Sequence, residues 1–430
     1  MDPKTLPQFI VLTFDDAVTQ YILEGGVNKV LLNQTNNFGC PVPATFYVSI
    51  QYTDFYLLQV LKQQGHEIAI HTVNHVGNPS EQEITRCRDA INKWTGNAIK
   101  TEDMVGFRAP FLQLNVNTVD ALKKNSFLYD SSVPADYEAN NIWPYTLDNG
   151  YVQTKCDNEI CKGFGKFPGL WNVPMWNIYS TSNARLTSMD YVDNDMYGSF
   201  MKTFNEKYNG NRSPMGIFLH PAWLIGSDDN VRALNKFIKE VTKKDDVFFV
   251  TNRQLIEYMK NPVTFDKVKE SIKGEGECIN GMRYPLQVTD GDVCDGADNN
   301  RNGIIDENGI TQCVYSSCTI RTCLKECPAD IPRYDNVFPS PKQGQCSIQK
   351  GLTLTANQLS PVGENPYQKA GKIYKEGTYS NNKRNEDDIS DAGQSVASYN
   401  VNIDTSNAES KKPLAFLMVL GFLILFPLRQ

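Results

Sequence analysis

The sequence predicts a parallel α/β fold, and a barrel rather than an open dinucleotide-binding sheet. Three observations predict it. Short apolar runs alternate with amphipathic stretches through residues 9–260, and short loops join them, which is the order of a βα repeat. No glycine-rich fingerprint follows any of the runs, which sets the dinucleotide fold aside. The residues with reactive chemistry, Asp15, Asp16, His71, Arg108, Asp130 and His220, stand at or just past the C-terminal ends of the predicted strands. In a barrel that is the active face.

Gln8–Asp16, QFIVLTFDD, is an apolar run that ends in two adjacent carboxylates. It reads as a buried strand. Two like charges at the rim of a core need a cation or a proton to relieve them, unless they simply cap the helix expected over Val18–Asn33. Pro43–Ile50 is the second strand. Thr53–Gln64 is a helix with Leu57, Leu58 and Leu61 on one face and Gly65 as its stop. Glu67–Ile70 is a brief strand running into His71. Ser80 caps the next helix, Glu83 completes a capping box, and Ile84, Cys87, Ile91 and Trp94 recur at helical spacing. Met104–Phe107 leads to Arg108, Asn115–Lys124 is helical, and Phe127–Tyr129 is a strand ending at Asp130. Residues 131–188 read as irregular, with Cys156 and Cys161 close enough to bridge. Met189–Tyr208 is an amphipathic helix, Met215–Leu219 a strand ending at His220, Asp228–Val241 a helix and Val247–Val250 a strand.

Composition changes beyond Pro262. Seven of the eleven cysteines lie between Cys278 and Cys346, the density a small oxidised module needs to compensate for a thin core. The expected organisation is a catalytic domain over residues 1–262, a cysteine-rich module over 275–347, a disordered polar stalk over 348–412 and a hydrophobic C-terminal segment over 413–430. Within the module, Asp298, Asn300, Asn302, Gly303 and Asp306 fall on the first, third, fifth, sixth and ninth positions of an EF-hand loop. The twelfth is Gly309, so the stretch is either a Ca2+ site with its last ligand supplied elsewhere or a solvated turn cluster. An odd number of cysteines leaves one thiol free or one partner missing. Leu414–Leu428 is apolar or glycine throughout, which suits a GPI-attachment signal or a short transmembrane anchor. No leader precedes the first strand, so an extracellular or cell-surface address implies that the natural signal peptide is missing. The sequons at Asn33 and Asn211 are compatible with glycosylation there. A net charge of −7 argues against a nucleic-acid partner, and the expected unit is a monomer.

His71-Thr-Val-Asn-His75 sets two imidazoles four residues apart, on one side if the segment is helical. With one Asp oxygen they leave a fourth position for water, the arrangement of a catalytic rather than a structural zinc site. A second carboxylate can then take the proton of the attacking water. That gives Asp15 and Asp16 separate tasks as base and ligand. Arg108 can orient the base and His220 can protonate a leaving group. Phe107, Phe111, Trp176 and Trp223 can wall a sugar and its acyl group, or simply pack.

The motifs Thr13-Phe-Asp-Asp16, His71-Thr-Val-Asn-His75, Arg108-Ala-Pro-Phe111 and Phe218-Leu-His220 together resemble the polysaccharide deacetylases (carbohydrate esterase family 4, the NodB homology domain), and among them the invertebrate chitin deacetylases. The likeness covers residues 9–260. It implies a distorted (β/α)7-8 barrel of the NodB type and removal of N-acetyl groups from the N-acetylglucosamine units of chitin, with release of acetate. It implies Asp15 as general base, Asp16, His71 and His75 as ligands of Zn2+ or another divalent ion such as Co2+, Arg108 as tether of the base and His220 as general acid. It also implies Asp130 as the carboxylate that tunes the acid. Pro110, Phe111, Trp171, Trp176, Leu219 and Trp223 would contact substrate. Asn172 stands where the invertebrate enzymes carry Glu. The alternatives are a deacetylase of another extracellular N- or O-acetylated polysaccharide and a non-catalytic chitin-binding matrix protein.

Overall fold

β1 (Gln8–Asp15) is buried along its whole length, and three other strands pair with it. The structure is a computed structural model; it describes residues 2–32, 34–135, 138–151, 165–272, 277–279, 282–284, 310–315 and 319–340. β2 (Thr45–Val48), β3 (Glu67–Ile70), β4 (Gly106–Phe107), β5 (Tyr129–Asp130), β7 (Phe167–Asn172), β8 (Met215–Leu219) and β9 (Val247–Phe249) all run parallel to their neighbours. Only β6 (Tyr145–Leu147) is antiparallel, against β7. The order β6-β7-β5-β4-β3-β2-β1-β8, with β9 on the first half of β1, makes a curled sheet. It is an open, half-closed barrel: no pairing joins β6 to β8 among the described residues.

Side-chain alternation along β1 divides the core in two. Ile10, Leu12 and Phe14 join the apolar layer between sheet and helices, whereas Phe9 and Val11 face the inside of the curl with Tyr47, Ala69, Tyr129, Val173 and Phe218. A strand repeats every two residues, so Thr13 and Asp15 continue the inward row. The outer layer is covered by α3 (Phe55–Gln63), α4 (Glu81–Trp94), α5 (Val116–Lys124), α6 (Met196–Asn209) and α8 (Asp228–Val241). The short α7 (Pro221–Ile225) follows β8, and α9 (Asn252–Lys260), which has a Thr251–Gln254 capping box, contributes Leu255, Ile256 and Tyr258 to the inner cluster.

Several elements depart from the sequence expectation. The helix expected over Val18–Asn33 is α1 (Gln20–Ile22) and α2 (Asn28–Leu31), with a π-helical turn at Leu23–Val27 between them. That turn holds Gly25 and Gly26, and a Cβ on Gly26 would lie 2.9 Å from Cβ of Leu224, so the glycines admit α7. Residues 131–188 are not irregular throughout, because β7 lies inside the sheet. Pro168 and Gly169 hide it from a periodicity reading. A register shift between Thr146 and Leu147 and a positive φ of 80° at Gly169 accommodate them. The helix expected from Met189 begins at Met196, because Asp195 caps it through the Gly198 N–H.

The C-terminal described segments do not form a disulfide-rich module. One disulfide, Cys313–Cys327, has both halves among the described residues; Cys40 and Cys323 are also disulfide-bonded, and Cys87 is free and buried, its thiol donating to the Val48 carbonyl at 3.3 Å. The segment also packs on α3 and α4. β12 (Thr311–Val314) and β13 (Thr319–Thr322) form a hairpin, a second pair being β10 (Glu277–Ile279) with β11 (Met282–Tyr284). Ile320 and Ile331 are buried in the outer core. Trp94 Nε1 donates to the Val337 carbonyl at 2.9 Å, and Thr322 bonds the Trp94 carbonyl.

The Asp298, Asn300, Asn302 and Asp306 loop, Cys156 and Cys161, Asn33, the 348–412 stretch and the 413–430 tail lie outside the described residues. Asn211 is exposed, and its amide nitrogen donates to the Asn141 carbonyl. Among the described residues no helix is long and apolar enough to cross a membrane.

Because Ile320 is fully buried in the barrel's own core, Ile320→Ala is expected to lower the global unfolding free energy by about 2–5 kcal/mol. Denaturant unfolding followed by tryptophan fluorescence measures this. A barrel transition unmoved by the substitution would show that the hairpin is not part of the same cooperative unit.

Candidate active site

Parallel strands deliver their C-terminal ends to one edge of the sheet. That edge collects Asp15 and Asp16 from β1, His71 after β3, Arg108 after β4, Asp130 from β5, Asn172 from β7 and His220 after β8.

Asp15 faces inward, where Arg108 meets it. The Arg108 guanidinium is fully buried and donates to Asp15 Oδ1 at 2.7 Å and to Thr13 Oγ1 at 2.8 Å. Nε donates to the Ser131 carbonyl at 2.7 Å and the second terminal nitrogen to Ser131 Oγ at 3.1 Å. The plane lies over the Tyr47 ring at 4.1 Å, with Phe218 at 5.0 Å. The guanidinium is thus fixed by both hydrogen bonds and ring faces, and one oxygen of Asp15 is fixed with it.

Asp16 turns out of the strand. Its φ of 86° lies in the left-handed region, a conformation that costs a non-glycine residue on the order of 1–3 kcal/mol and persists where surroundings enforce it. Its Oδ1 sits 3.1 Å from His75 Nε2 and 3.7 Å from His71 Nε2. Burial raises its carboxyl pKa, but the His75 bond and the charges of His220, His71 and His75 together bring it below the ordinary value.

The two histidines are not on a helix, contrary to the geometry their spacing allowed. They belong to a loop with positive φ at Thr72, 75°, and at His75, 54°. Glu83 holds that loop: its Oε2 accepts from the Val73 and Asn74 N–H groups and its Oε1 from the Asn74 amide, all at 3.0 Å. Ser80 does cap α4 by accepting from the Glu83 N–H. The Glu83 carboxylate, however, is spent on the loop and closes no capping box. His71 Nδ1 lies 2.8 Å from the Arg108 carbonyl, which can only accept. The proton is therefore on Nδ1, and the Nε2 lone pair faces the two aspartates. Burial lowers the His71 pKa, only partly offset by Asp15, which favours the neutral ligand form.

Asp16, His71 and His75 each offer one ligand atom, and these atoms all lie within 4.8 Å of one another. One carboxylate oxygen and two imidazole nitrogens, one of them oriented by a carbonyl behind it, are a donor set that fits a divalent ion such as Zn2+.

His220 completes the edge. Its Nε2 lies 3.8 Å from Asp16 Oδ2. Behind it, Asp190 grips the residue twice: Oδ1 accepts from the His220 N–H at 2.7 Å, and Oδ2 lies 2.5 Å from Nδ1. Burial acts against the imidazolium, but the Asp190 bond, with the charges of Asp15, Asp190 and Asp16, pushes the His220 pKa up to about 9. Asp190 was not legible in the sequence. It precedes α6 in a stretch that carries helical periodicity, and the one available signal was the cap at Asp195.

Asp130, expected behind His220, is elsewhere engaged. Ser132 Oγ donates to its Oδ1 at 2.5 Å and Tyr151 lies 3.5 Å from Oδ2. Ser132 Oγ in turn accepts from the Ala109 N–H at 2.8 Å. Asp130 therefore supports the backbone beside Arg108. Burial pushes its carboxyl up to about 6, with the Ser132 bonds limiting the rise. Asn172, its register partner on β7, is fully buried, and neither amide atom is bonded among the described residues.

Of the expected wall residues, Phe111 is 66% exposed and meets the His75 ring edge-on at 4.7 Å, at the mouth of the cluster, on a positive φ of 56°. Pro110 is buried beside it. Trp171 and Trp176 pack with the inner cluster, Trp176 Nε1 donating to the Ile142 carbonyl. Leu219 and Trp223 belong to the outer core, where Trp223 packs against Phe200 and Nε1 donates to the Tyr191 carbonyl.

A family profile described as polysaccharide deacetylase matches residues 2–129. "Chitin deacetylase 8" of Bombyx mori is 31% identical over 286 residues, 62% of this chain and 74% of its own length. The chain belongs to the polysaccharide deacetylase family. "Chitin deacetylase 1" of the same organism is 28% identical over 64% of this chain and 56% of its own length. Among solved structures, a family 4 acetyl xylan esterase from Clostridium thermocellum is similar with a TM-score of 0.34 at 17% identity, over 60% of this chain and 96% of that one.

The His220 pKa sits above the usual histidine value chiefly through Asp190. The pair therefore stabilises the fold fully below the unfolded-state pKa of about 6.5, and that contribution is lost as pH rises through about 9. In metal-free protein carrying Asp190→Asn, histidine NMR titration is expected to place His220 lower than in the wild type. Glu83→Ala strips the acceptor from two loop N–H groups and is expected to weaken Zn2+ affinity roughly 10–100-fold, as loss of an outer-sphere support does. Chelator competition reads that change.

Proposed function

We propose that this family member is a metal-dependent hydrolase that removes N-acetyl groups from the N-acetylglucosamine units of chitin. The observation that carries it is the position of Asp16. One of its oxygens faces His71 and His75, the other faces His220 at 3.8 Å, and the Arg108-bound carboxylate of Asp15 stands next to it. A ligand set, a base and an acid thus meet around one point. The names of the Bombyx relatives support chitin as the polymer.

Asp16, His71 and His75 would hold the ion, and the chemistry a bound divalent ion supplies is Lewis acidity toward an amide carbonyl and toward water. The roles of the chain's own groups follow from their placement. Asp15 keeps one oxygen on Arg108 and turns the other toward His71 Nε2, 4.0 Å away, so it accepts the proton of the attacking water. His220, protonated below about pH 9 through Asp190, donates from Nε2 to the amide nitrogen as the C–N bond breaks. Acetate and a free amine leave. Phe111 offers an exposed ring face for the sugar beside His75. We place the enzyme outside the cell. The half-cystines Cys40, Cys313, Cys323 and Cys327 support an oxidising compartment, and the apolar stretch Leu414–Leu428 supports attachment to a membrane.

The test is acetate release from N-acetylated chitooligosaccharides by metal-loaded protein. Asp15→Asn and His71→Ala are each expected to lower the rate by at least about 100-fold, the lower end of what a positioned general base contributes. Release that survives both substitutions overturns the mechanism. No release from chitooligosaccharides, with release from another acetylated polysaccharide, overturns the substrate.

A further inference from the structure

We infer that Arg321, from the C-terminal hairpin, is a positioning residue for the metal site. The inference rests on the metal-centre reading above. Arg321 Nε donates to Asp54 Oδ2 at 2.8 Å, its N–H donates to Asp54 Oδ1 at 3.1 Å, and its guanidinium lies over the Tyr56 ring at 4.8 Å. Both partners are buried, with side chains 5% and 9% exposed. Burial raises the Asp54 carboxyl pKa, and Arg321 is the charge that works against that rise.

Asp54 is no isolated cap. Its side chain accepts from the Tyr56 N–H at the start of α3, and its own N–H donates to the Val18 carbonyl at 2.8 Å. The Val18 N–H donates in turn to Thr53 Oγ1 at 3.1 Å. Val18, two residues beyond Asp16, is therefore clamped at both its N–H and its carbonyl by the dipeptide that Arg321 anchors. Thr53 Oγ1 also donates to the Ser49 carbonyl at 2.7 Å, and Ser49 Oγ donates to the His71 carbonyl at 2.9 Å. The relay thus reaches two metal-binding residues by separate branches, to Asp16 through Val18 and to His71 through Ser49.

Asp16 needs this support. Its left-handed φ of 86° is not a conformation the local sequence favours, and its one described backbone anchor on the strand side is the N–H bond to the Tyr47 carbonyl at 3.0 Å. Removing the guanidinium leaves a buried carboxylate without its counter-charge. Asp54 must then move toward water or take up a proton, and the Val18 clamp moves with it. The hairpin acts on the chemistry through this route although none of its described residues lies on the active edge.

The experiment compares full-length wild type, Arg321→Gln, Arg321→Lys, Thr53→Val and Ile320→Ala. Co2+ affinity is measured by chelator competition and Co2+ geometry by visible absorption, at a temperature where each variant is folded by circular dichroism. Arg321→Gln is expected to bind Co2+ about 10-fold or more weakly, with an altered spectrum, as loss of an outer-sphere support does. Arg321→Lys is expected to recover part of the loss. Ile320→Ala removes buried volume from the same hairpin and is expected to lower stability without moving either metal readout. Thr53→Val removes the N–H half of the Val18 clamp and the Ser49 branch without touching the hairpin; it is expected to weaken Co2+ binding too, and it decides the matter if Arg321→Gln does not fold. Wild-type affinity and spectrum in folded Arg321→Gln, or in Thr53→Val, overturn the inference. A wild type that binds no Co2+ overturns the metal-centre reading, and this one with it.

Discussion

The buried pair between Asp15 and Arg108 is the constraint on which the rest of the structure depends. A guanidinium and a carboxylate withdrawn from water are tolerated only when every donor and lone pair is met. Thr13, Ser131, Tyr47 and Phe218 are arranged to meet them. Those residues come from β1, β2, β8 and the turn after β5, so the pair fixes the relative height of several strands. It also leaves Asp15 inside and forces the chain to turn at Asp16, the point at which the neighbouring carboxylate swings to the histidines. The two adjacent aspartates thus differ in environment because Asp15 ends the inward row of β1 and the chain turns out of the strand at Asp16.

Much of this was legible because it depends on local rules. β1, β3, β8 and α8 fall within a residue of where apolar runs and caps place them, and a parallel sheet brings strand ends together whatever the loops do. The residues that had to be found by tertiary contact were not legible. Glu83 matched the capping-box spacing from Ser80, but two loop N–H groups outcompeted the helix terminus for its carboxylate. Asp190 lies in apparent helical periodicity, and the family resemblance assigns the carboxylate behind His220 to Asp130 because that residue stands at a strand end. The broken pattern Phe167-Pro-Gly-Leu-Trp gave no sign of a strand, since its pairing depends on a bulge in β6.

Cysteine counting misled in an instructive way. A high local density of cysteines suggested that covalent links replace a core between residues 275 and 347. The hairpin instead sends Ile320 and Ile331 into the core of the barrel and ties itself to α3 and α4 by Arg321, Thr322 and the Trp94 indole. Among the described residues the free thiol is Cys87, on the buried face of α4 and bonded to β2. It packs there as a small apolar side chain does.

Glu83 has a consequence for how ion and fold are coupled. The same residue supplies an N–H to the cap of α4 and a carboxylate to the loop that carries His71 and His75. Any ion that binds the folded loop and not the unfolded chain is then, by mass action, a folding ligand of α4 as well. Fraying of the first turn of that helix and release of the ion become two descriptions of one equilibrium, and a chelator destabilises a helix it never touches.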